Sequence, residues 1–338
     1  MATLTKYTAH DLINFKRSKQ WMIKNFIHYG DKVVLKGKSG TGKSSFVQYV
    51  AQIASCGELM FKSYPTTRPN IVAYLYGESD EAEWKDRLIN MKKLHNMEDA
   101  NIDFIHCDLL SLEQDNDREL LLKSLQQYRE HYDLIIYDCL YVLLNGSVNS
   151  DDIIRAFNRN EGHIRSSMPG CASIIIHHDT EKTYKDKNGK KHSGASPTTC
   201  FGSSFITAHT THMFTLEKHN DNKGEHLKLV RGKKRSGDIM TEVIFRMITP
   251  EDDEKERLGF VIDENEVNDN YRLISEFMQG KGEVSVRGLY KKILNETTFR
   301  ASYETLRRIN LRLIKNKLVR KKRNGENIEK FTWIGTKL

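Results

Sequence analysis

Short apolar runs alternate with longer amphipathic segments through the first 180 residues of the chain. The runs have the length of strands, and they predict five, at 32–36, 71–76, 103–106, 134–137 and 172–177. The segments between them have the length of helices, at 43–55, 81–94, 118–131 and 150–167. Runs of Ile, Val, Leu and Tyr separated by helices are typical of a parallel sheet covered on both faces. The pattern therefore predicts an α/β fold with a mostly parallel sheet.

Beyond residue 207 the apolar runs follow one another without intervening helices. Consecutive runs near 212–218, 226–230, 243–248 and 260–262 indicate an antiparallel extension of the sheet. An acidic stretch at 250–257 and a polar run after it indicate a boundary. The expected organisation is an N-terminal lead-in and subunit-contact segment at 1–30, a core domain at 31–262, a linker at 263–270 and a small domain at 271–338.

The last seventy residues have a pattern of their own. Three helices are predicted at 271–278, 286–295 and 302–316, and two strand-like runs at 318–322 and 328–334 flank Asn324-Gly325, a strong hairpin signal. Three helices and a hairpin predict a winged helix-turn-helix domain in which 302–316 is the recognition helix. Winged helices also dock onto proteins, so this domain has two interpretations, DNA contact and protein contact.

Composition narrows the class of protein. The chain has 338 residues, of which 38% are hydrophobic, so a disordered chain is excluded. It contains no apolar run of membrane-spanning length and no secretory segment, and its five cysteines form no C-x-x-C pair. We therefore expect a soluble cytoplasmic protein without membrane partners.

The charge is unevenly distributed along the chain. Residues 269–338 contain 17 Lys and Arg against 7 Asp and Glu, a net charge of +10, which leaves −2 for residues 1–268. This asymmetry indicates a nucleic-acid-binding appendage on a near-neutral body, or else a solvated basic surface.

A glycine-rich motif follows the first predicted strand and precedes the first predicted helix, which is the context that a phosphate-binding loop requires. The loop would bind ATP through its backbone N–H groups, Lys43 would reach the β- and γ-phosphates, and the hydroxyl of Ser44 would ligate Mg²⁺. The predicted nucleotide-binding residues are Gly37, Lys38, Ser39, Gly40, Thr41, Gly42, Lys43, Ser44 and Ser45.

Two carboxylates follow other predicted strands. Asp138 ends the run at 134–137, where it would lie beside Ser44 and the metal, although an Asp in this position is also a common loop cap. Because Cys139 rather than a second acid follows it, the base that activates water must come from another strand. Glu78, after the run at 71–76, is the candidate, with capping of the following helix as the alternative.

The run at 172–177 leads into His177 and His178. His178 could hydrogen-bond a γ-phosphate, whereas His177 points to the other face by strand alternation; a structural role is the alternative. Residues 180–202 then form a predicted structureless loop that either grips nucleic acid or is a solvated insertion. Its lysines are Lys182, Lys185, Lys187, Lys190 and Lys191.

A further cationic segment lies at 228–237. The segment lies far along the sheet from the phosphate-binding loop, so its position does not assign its cations to the phosphates of its own subunit. If a neighbouring subunit's nucleotide lies there, Lys233 and Arg235 could stabilise transition-state charge in trans; an ordinary basic hairpin tip is the alternative.

These motifs, in this order, resemble the RecA-like hexameric replicative helicases, in particular the plasmid RepA helicase type, which is related to the DnaB and KaiC-like ATPases. The resemblance covers about residues 21–248: the phosphate-binding loop, Glu78 with Arg87 nine residues later, Asp138, the His177-His178 pair, the turn at 202–204 and the K-x-R element at 233–237. It implies a RecA-like core, ATP and Mg²⁺ bound between the subunits of a hexameric ring, and single-stranded DNA in the centre. It also implies that Arg87 contributes to the nucleotide site.

Two features depart from that family. His209, Thr211 and His212 stand where RepA-type proteins can place an arginine finger, so the trans role falls on Arg235. We also expect no N-terminal collar domain of the DnaB type, so recruitment of a primase is not implied.

The predicted function is a Mg-ATP-dependent DNA motor, a replicative helicase of a plasmid, phage or other mobile element. Two alternatives stay open: a DNA-bound ATPase switch such as a replication initiator or regulator, and a RecA-type recombination or loading ATPase. Duplex contacts would come from cations of the winged helix, namely Arg307, Arg308, Arg312, Lys315, Lys321, Lys322 and Arg323.

Overall fold

A computed structural model gives the architecture of most of residues 1–262 and of three strands beyond them. The residues that the structure describes are 8–10, 20–61, 64–78, 81–95, 100–179, 183–185, 191–193, 200–221, 224–234, 240, 242–248, 258–261, 284–285, 319–323 and 329–333. The chain divides into two compact units, 1–262 and 263–338.

The first unit is built on a nine-stranded sheet. Its strands are β1 (Lys32–Gly37), β2 (Val72–Tyr76), β3 (Ile102–His106), β4 (Leu134–Asp138), β5 (Ala172–His178), β6 (His212–Asp221), β7 (Gly224–Lys234), β8 (Glu242–Ile248) and β9 (Gly259–Val261). They lie side by side in the order β9-β8-β7-β6-β1-β5-β4-β2-β3. The pairs from β6 to β3 are parallel, and β7, β8 and β9 add antiparallel pairs at the other side. The prediction of a mostly parallel α/β sheet with an antiparallel extension is confirmed.

One strand direction differs from the expectation. The prediction places the start of the antiparallel extension at 212–218, but β6 pairs in parallel with β1, with Phe214 opposite Leu35. The chain leaves β5, passes through a short helix at Phe205–Ala208 and returns to the starting edge before β6 begins. Because a crossover precedes it, β6 runs parallel, and the extension starts one strand later at β7.

Helices cover both faces of this sheet. They are α1 (Lys43–Cys56), α2 (Glu81–His95), α3 (Asp115–Tyr128), α4 (Asp151–Ser166) and α5 (Phe205–Ala208), and a 3-10 turn spans Leu140–Leu143. Alternation along β1 sends Val33 and Leu35 into the core beneath α1 and α2, and Val34 into the core beneath α3 and α4. The sheet is thus buried on both faces, which is why the middle positions of its central strands are mainly apolar.

The segment before β1 belongs to the same core. Trp21–Ile23 and Ile27–His28 pair as two short antiparallel strands. Phe26 stacks on Phe214 of β6, with ring centroids 5.0 Å apart, and Met22 is buried as well. A second short pair joins Leu59–Met60 to Tyr64–Pro65.

The lysine-rich segment after β5 contains paired strands. Thr183–Lys185 and Lys191–Ser193 form an antiparallel pair in which Lys185 is opposite Lys191. The expectation of a structureless loop over 180–202 is therefore wrong at these positions. Its Thr and Tyr residues suit a pleated backbone, a preference that the high lysine content concealed.

Three strands are described in the second unit. Val319–Arg323 and Glu329–Trp333 pair in an antiparallel hairpin, which confirms the hairpin predicted around Asn324-Gly325, and Val284–Ser285 joins the second of them. The predicted helices at 271–278, 286–295 and 302–316 and the linker at 263–270 lie outside the described residues. Within the described part of the chain, no helix is both long enough and apolar enough to cross a membrane.

Candidate nucleotide site

The loop between β1 and α1 has the conformation that its glycines make accessible. Gly40 and Gly42 have φ angles of 70° and 78°, in the left-handed region that a side chain disfavours. A Cβ atom at Gly37 would overlap the carbonyl oxygen of Leu216 on β6. The loop therefore curls tightly before α1, so that the N-terminus of this helix and successive backbone N–H groups are available to phosphates.

Lys43 begins α1 and lies within this loop. Its Nζ donates a hydrogen bond to the carbonyl oxygen of Lys38 at 2.7 Å, and the hydroxyl of Thr41 donates to the same oxygen at 2.9 Å. Burial lowers the pKa of Lys43, while the nearby Cys139, Asp138 and Glu78 oppose that shift. The ammonium group is thus in a partly desolvated position with acidic groups near it.

Asp138, the last residue of β4, is buried beside the start of α1. Its two carboxylate oxygens accept hydrogen bonds from the hydroxyl of Ser44 at 3.0 Å and from the hydroxyl of Tyr74 at 2.7 Å. Burial raises the pKa of Asp138, although both hydroxyls oppose this. An adjacent hydroxyl and carboxylate are hard oxygen donors of the type that Mg²⁺ takes, and the desolvated charge of Asp138 is one that a divalent cation would compensate. The residues present therefore fit Mg²⁺.

Glu78 follows β2 at the same edge of the sheet. The preceding Gly77 makes room for the 3-10 turn after β4, since a Cβ atom there would overlap a methyl group of Val142. From this turn the hydroxyl of Tyr141 donates a hydrogen bond to the Glu78 carboxylate. Burial and then the charge of Asp138 raise the pKa of Glu78, whereas Lys43 opposes the rise. The result is a carboxylate of increased basicity next to the phosphate-binding loop.

The two histidines at the end of β5 lie on opposite faces of the strand and have different partners. Burial, with Lys43 and His177 as further causes, lowers the pKa of His178 to about 4, so its ring is neutral at pH 7. The ring lies 5.3 Å from that of Tyr141. His177 is buried, and its Nε2–H donates to the carbonyl oxygen of Phe201 at 2.7 Å. His177 thus contacts the chain where it returns from the lysine-rich hairpin. His178 lies near Tyr141 and Lys43 instead.

Five of the predicted residues come together at the carboxyl ends of β1, β2, β4 and β5. These are Lys43, Ser44, Asp138, Glu78 and His178, linked by the contacts and electrostatic effects described above. Lys38, Ser39, Gly40 and Thr41 complete the loop, and Ser45 lies half-buried in the first turn of α1. Ligand sites in open parallel sheets generally lie at this edge, beyond the carboxyl ends of the strands.

Arg87 lies on α2 behind this group. It pairs with Glu83 one turn earlier, and its guanidinium carbon is 5.8 Å from the centre of the Trp84 ring. Its charge is close enough to lower the pKa of Asp138, against the larger effect of burial. Arg87 therefore acts on the predicted metal-holding carboxylate through space, and its partner in the described structure is Glu83.

Lys233 lies away from the phosphate-binding loop of its own chain. On β7 it is opposite Met213 at the beginning of β6, toward the amino end of β1, and its Nζ donates to the carbonyl oxygen of Thr207. Arg235, the other candidate for a trans role, lies outside the described residues.

The predicted nucleic-acid residues are only partly described. The backbone of Lys185 and Lys191 belongs to the hairpin after β5, and that of Lys321, Lys322 and Arg323 belongs to the strand at Val319–Arg323. Those outside the described residues are Lys182, Lys187, Lys190, Arg307, Arg308, Arg312 and Lys315.

Sequence reasoning missed two tyrosines of the site. Tyr74 could have been found by strand alternation, since Tyr74, Tyr76 and Glu78 have the same parity at the end of β2. Tyr141 has no comparable signal, because its position depends on the 3-10 turn at Leu140–Leu143 that folds back over Gly77.

The sequence matches the model of a known protein family. Residues 2–183, more than half of the chain, match a family model described as an AAA domain, AAA_25. The chain belongs to the AAA_25 family. Together with the phosphate-binding loop and the sheet, membership identifies an ATPase of the RecA-like class. No curated protein matches the sequence.

Two solved structures are similar to the chain at low identity. A KaiC-like protein of the archaeon Pyrococcus horikoshii OT3 is 11% identical, with a TM-score of 0.46, over 71% of this chain and 93% of that chain. The flagellar accessory protein FlaH of Methanocaldococcus jannaschii is 16% identical, with a TM-score of 0.41, over 69% of this chain and 90% of that chain.

Proposed function

We propose that this ATPase is an ATP-dependent DNA motor, a replicative helicase of a plasmid, phage or other mobile element, that hydrolyses ATP at the subunit interfaces of a ring. The observation that supports it is the grouping of Glu78, Asp138 and His178 around the phosphate-binding loop, at the end of the strand from which a lysine-rich hairpin departs. A base, a metal-holding carboxylate and a neutral hydrogen-bonding ring at one edge suit hydrolysis of a triphosphate.

Each side chain has a defined part in that reaction. Lys43 and the loop N–H groups bind the β- and γ-phosphates. Ser44 and Asp138 would hold Mg²⁺, which would supply positive charge to neutralise the phosphate oxygens. Glu78 accepts the proton of the attacking water. Its raised pKa suits this step, because a carboxylate of higher pKa is a stronger base in its ionised form.

The contacts around β5 suggest how nucleotide state reaches DNA. His178 stays neutral at pH 7 and can hydrogen-bond a γ-phosphate. The next residue, Asp179, forms a buried ion pair with Lys36 at 2.7 Å, and His177 contacts Phe201 where the chain returns. Both ends of the lysine-rich segment are therefore attached to the strand end that contacts the γ-phosphate, so a displacement there would move the hairpin.

A ring supplies the remaining positive charge. Lys233 lies away from its own loop, so Lys233 and Arg235 would act on the nucleotide of a neighbouring subunit. The specific ATPase activity should then rise with protein concentration as rings assemble. A monomer at dilute concentration that hydrolyses ATP at the full rate would contradict the trans role.

Glu78→Gln tests the central assignment. Loss of the base should lower the steady-state rate of ATP hydrolysis by about 10²–10⁴-fold, while the affinity for ATP, measured by a fluorescent analogue, stays close to wild type. Glu81→Gln is the matched control, because Glu81 is an exposed acid in the first turn of α2. Unchanged turnover in Glu78→Gln would remove Glu78 from the mechanism.

A second candidate function is a DNA-bound ATPase switch. It is favoured by the basic strand Val319–Arg323 in the second unit, which is suited to a winged helix that finds a site on duplex DNA. Strand displacement on a forked duplex with ATP, beside nuclease footprinting without ATP, separates the two. Unwinding that persists in Lys321→Ala/Lys322→Ala supports the motor, and sequence-specific protection without unwinding supports the switch.

A further inference from the structure

Three side chains at the nucleotide site form a mixed cluster of metal-ligating groups. Glu78, Cys139 and His178 follow or end β2, β4 and β5, and one ligand atom from each lies within 4.8 Å of the others. We call this group the Glu–Cys–His cluster. The hydrolysis mechanism uses Glu78 and His178 but has no part for the thiol of Cys139.

A second cluster in the same unit shows what a closed arrangement looks like. His28, Asp31 and His212 are all buried, and one oxygen of Asp31 lies 2.9 Å from Nδ1 of His28 and 3.0 Å from Nε2 of His212. The carboxylate is therefore hydrogen-bonded to the ring of His28 and lies at ion-pair distance from the ring of His212. In the Glu–Cys–His cluster, by contrast, only Cys139 is buried, whereas Glu78 is exposed and His178 is partly exposed, so a cation in solution can enter from the side of these two residues.

The donor set selects a class of cation. A thiolate, an imidazole and a carboxylate are ligands of Zn²⁺, and three protein ligands leave the fourth tetrahedral position open to water. Mg²⁺ prefers oxygen ligands alone, so it would favour Ser44 and Asp138 over a site that contains sulfur. Ligand atoms around tetrahedral Zn²⁺ are about 3.3–3.8 Å apart, so binding would draw the three side chains together from separations of up to 4.8 Å.

The surrounding charges allow such a site. Asp138 is close enough to influence Glu78, and it adds negative charge beside the cluster. Lys43 is the nearby cation, but its ammonium donates to the carbonyl of Lys38. Binding of Zn²⁺ would displace the thiol proton of Cys139 into solvent; no electron is transferred and no bond in a substrate changes.

We propose that Glu78, Cys139 and His178 bind Zn²⁺, and that the bound cation blocks ATP hydrolysis because Glu78 and His178 are then no longer available to water and phosphate. The site would make the ATPase sensitive to free zinc. The inhibitory effect rests on the proposed function, whereas the binding of the metal does not.

The binding test uses the full-length protein, stripped of metal and free of nucleotide, with Co²⁺ as a spectroscopic substitute for Zn²⁺. Wild type should bind one Co²⁺ with a cobalt–thiolate charge-transfer band that Zn²⁺ abolishes. The band should be absent in Cys139→Ser and present in the matched control Cys56→Ser, whose half-buried thiol lies at the end of α1. A band that is absent in wild type, or that persists in Cys139→Ser, overturns the proposal.

His178→Ala gives a second test that does not alter the thiol. The Co²⁺ concentration needed for half of the band should rise at least about tenfold, and an unchanged concentration would exclude His178 as a ligand and overturn the site as proposed. If Cys139→Ser loses its circular dichroism spectrum, this variant decides the question.

The functional test compares each protein with its own metal-free rate of Mg-ATP hydrolysis. Wild type and Cys56→Ser should lose activity at the zinc concentration that saturates the cobalt-binding site, and Cys139→Ser should need at least about tenfold more. Equal inhibition of all three would overturn the regulatory part. Metal binding without any ATPase activity would instead refute the proposed function and leave the zinc site standing.

Discussion

Acidic side chains lie at both the amino ends and the carboxyl ends of the parallel strands. The two edges differ in the partners that these carboxylates have. At the amino edge, Glu161 of α4 accepts from Ser173 at 2.7 Å and pairs with Lys32 at 2.9 Å and Arg165 at 3.0 Å. Burial alone would raise the pKa of Glu161, but the two cations reverse this and hold it below its ordinary value.

Asp133 repeats the arrangement beside β4. One of its oxygens accepts from Arg68 at 2.6 Å, and the other accepts from the backbone N–H of Ile71 at 3.0 Å. Asp31 is similarly placed between His28 and His212. These acids connect the starts of strands to one another, so their partners belong to the fold.

At the carboxyl edge, the two acids next to the phosphate-binding loop have hydroxyl partners instead, whereas Asp179 pairs with Lys36. Asp138 accepts from Ser44 and Tyr74, Glu78 accepts from Tyr141, and burial is the largest cause of the raised pKa of both carboxylates. A carboxylate that is desolvated, almost fully for Asp138 and only in part for Glu78, and that lacks a full counter-charge destabilises a fold and is useful in a reaction. The comparison indicates that the acids of the amino edge stabilise the fold, whereas Asp138 and Glu78 are suited to the proposed reaction.

Asp138→Asn should give the largest effect, on activity alone. Losing the carboxylate that would hold Mg²⁺ should lower ATP hydrolysis at least about 100-fold. The free energy of unfolding of the nucleotide-free protein at pH 7 should not fall, because the variant removes a desolvated charge. Hydrolysis assays and urea denaturation measure the two quantities.

The control for Asp138→Asn is Asp152→Asn, which changes an exposed acid in the first turn of α4 and should retain hydrolysis. If Asp138→Asn kept its activity and lost stability, Asp138 would belong with the acids of the amino edge.

Glu161→Gln should give the opposite result. Lys32 would remain buried without its carboxylate, so the free energy of unfolding should fall by about 3 kcal/mol, while hydrolysis per folded molecule stays near wild type. Urea denaturation at pH 7 measures the loss. Arg159→Gln, at an ion pair whose arginine is 67% exposed, should change stability by less than about 0.5 kcal/mol. An equal loss of unfolding free energy in both variants would show that the buried ion pair contributes no more to stability than the exposed one.

The sequence allowed prediction of the carboxyl edge because its signals are local. A glycine-rich loop after one strand, and Asp138, Glu78 and His178 after three others, must meet if the strands are parallel neighbours. Only the alternation of apolar runs and helices was needed to infer that arrangement. The bounds of the strands shifted by one residue or a few, which does not move a side chain to another edge.

The amino edge could not be predicted, since its partners are distant in the sequence and have no motif. Lys32 and Glu161 are 129 positions apart, and either could have been an exposed charge until the order of the strands was known. Tyr141 was missed for a related reason, because its hydroxyl reaches Glu78 only through the path of the 3-10 turn. The parallel direction of β6 likewise depends on a crossover through a four-residue helix that the apolar pattern does not reveal.

The dependence of stability on pH should distinguish the two edges by sign. Asp138 has a raised pKa in the folded state, so its contribution is present below its ordinary value of 3.8 and is lost as the pH rises through the folded value. Glu161 has a lowered pKa, so its contribution is present above its ordinary value of 4.5 and is lost as the pH falls through the folded value.

Urea denaturation of wild type, Asp138→Asn and Glu161→Gln at pH 7 and about pH 4 tests these signs. At pH 7 the free energy of unfolding of Asp138→Asn should equal or exceed that of wild type, and this difference should change in favour of wild type as the pH falls. The lower free energy of unfolding of Glu161→Gln should come closer to the wild-type value over the same range. The two variants therefore approach wild type from opposite sides. A parallel response of both to acid would mean that the edges do not differ in charge matching.

Tyr141→Phe should produce the smallest change, in the pH dependence of hydrolysis. Glu78 acts as a base only when it is ionised, so kcat/KM should fall as the pH drops through the pKa of Glu78, which lies above its ordinary value of 4.5. His178, with a pKa of about 4, stays neutral over that range. The Tyr141 hydroxyl donates to the carboxylate and stabilises its charged form, so its removal should move the acidic limb to higher pH by about one unit or less.

Tyr128→Phe, which changes a tyrosine that is 58% exposed on α3, should leave the limb in place. A limb that moves to lower pH in Tyr141→Phe would mean that the hydroxyl opposes ionisation of Glu78. Stabilisation of a carboxylate by a hydroxyl would then no longer distinguish Glu78 from the acids of the amino edge.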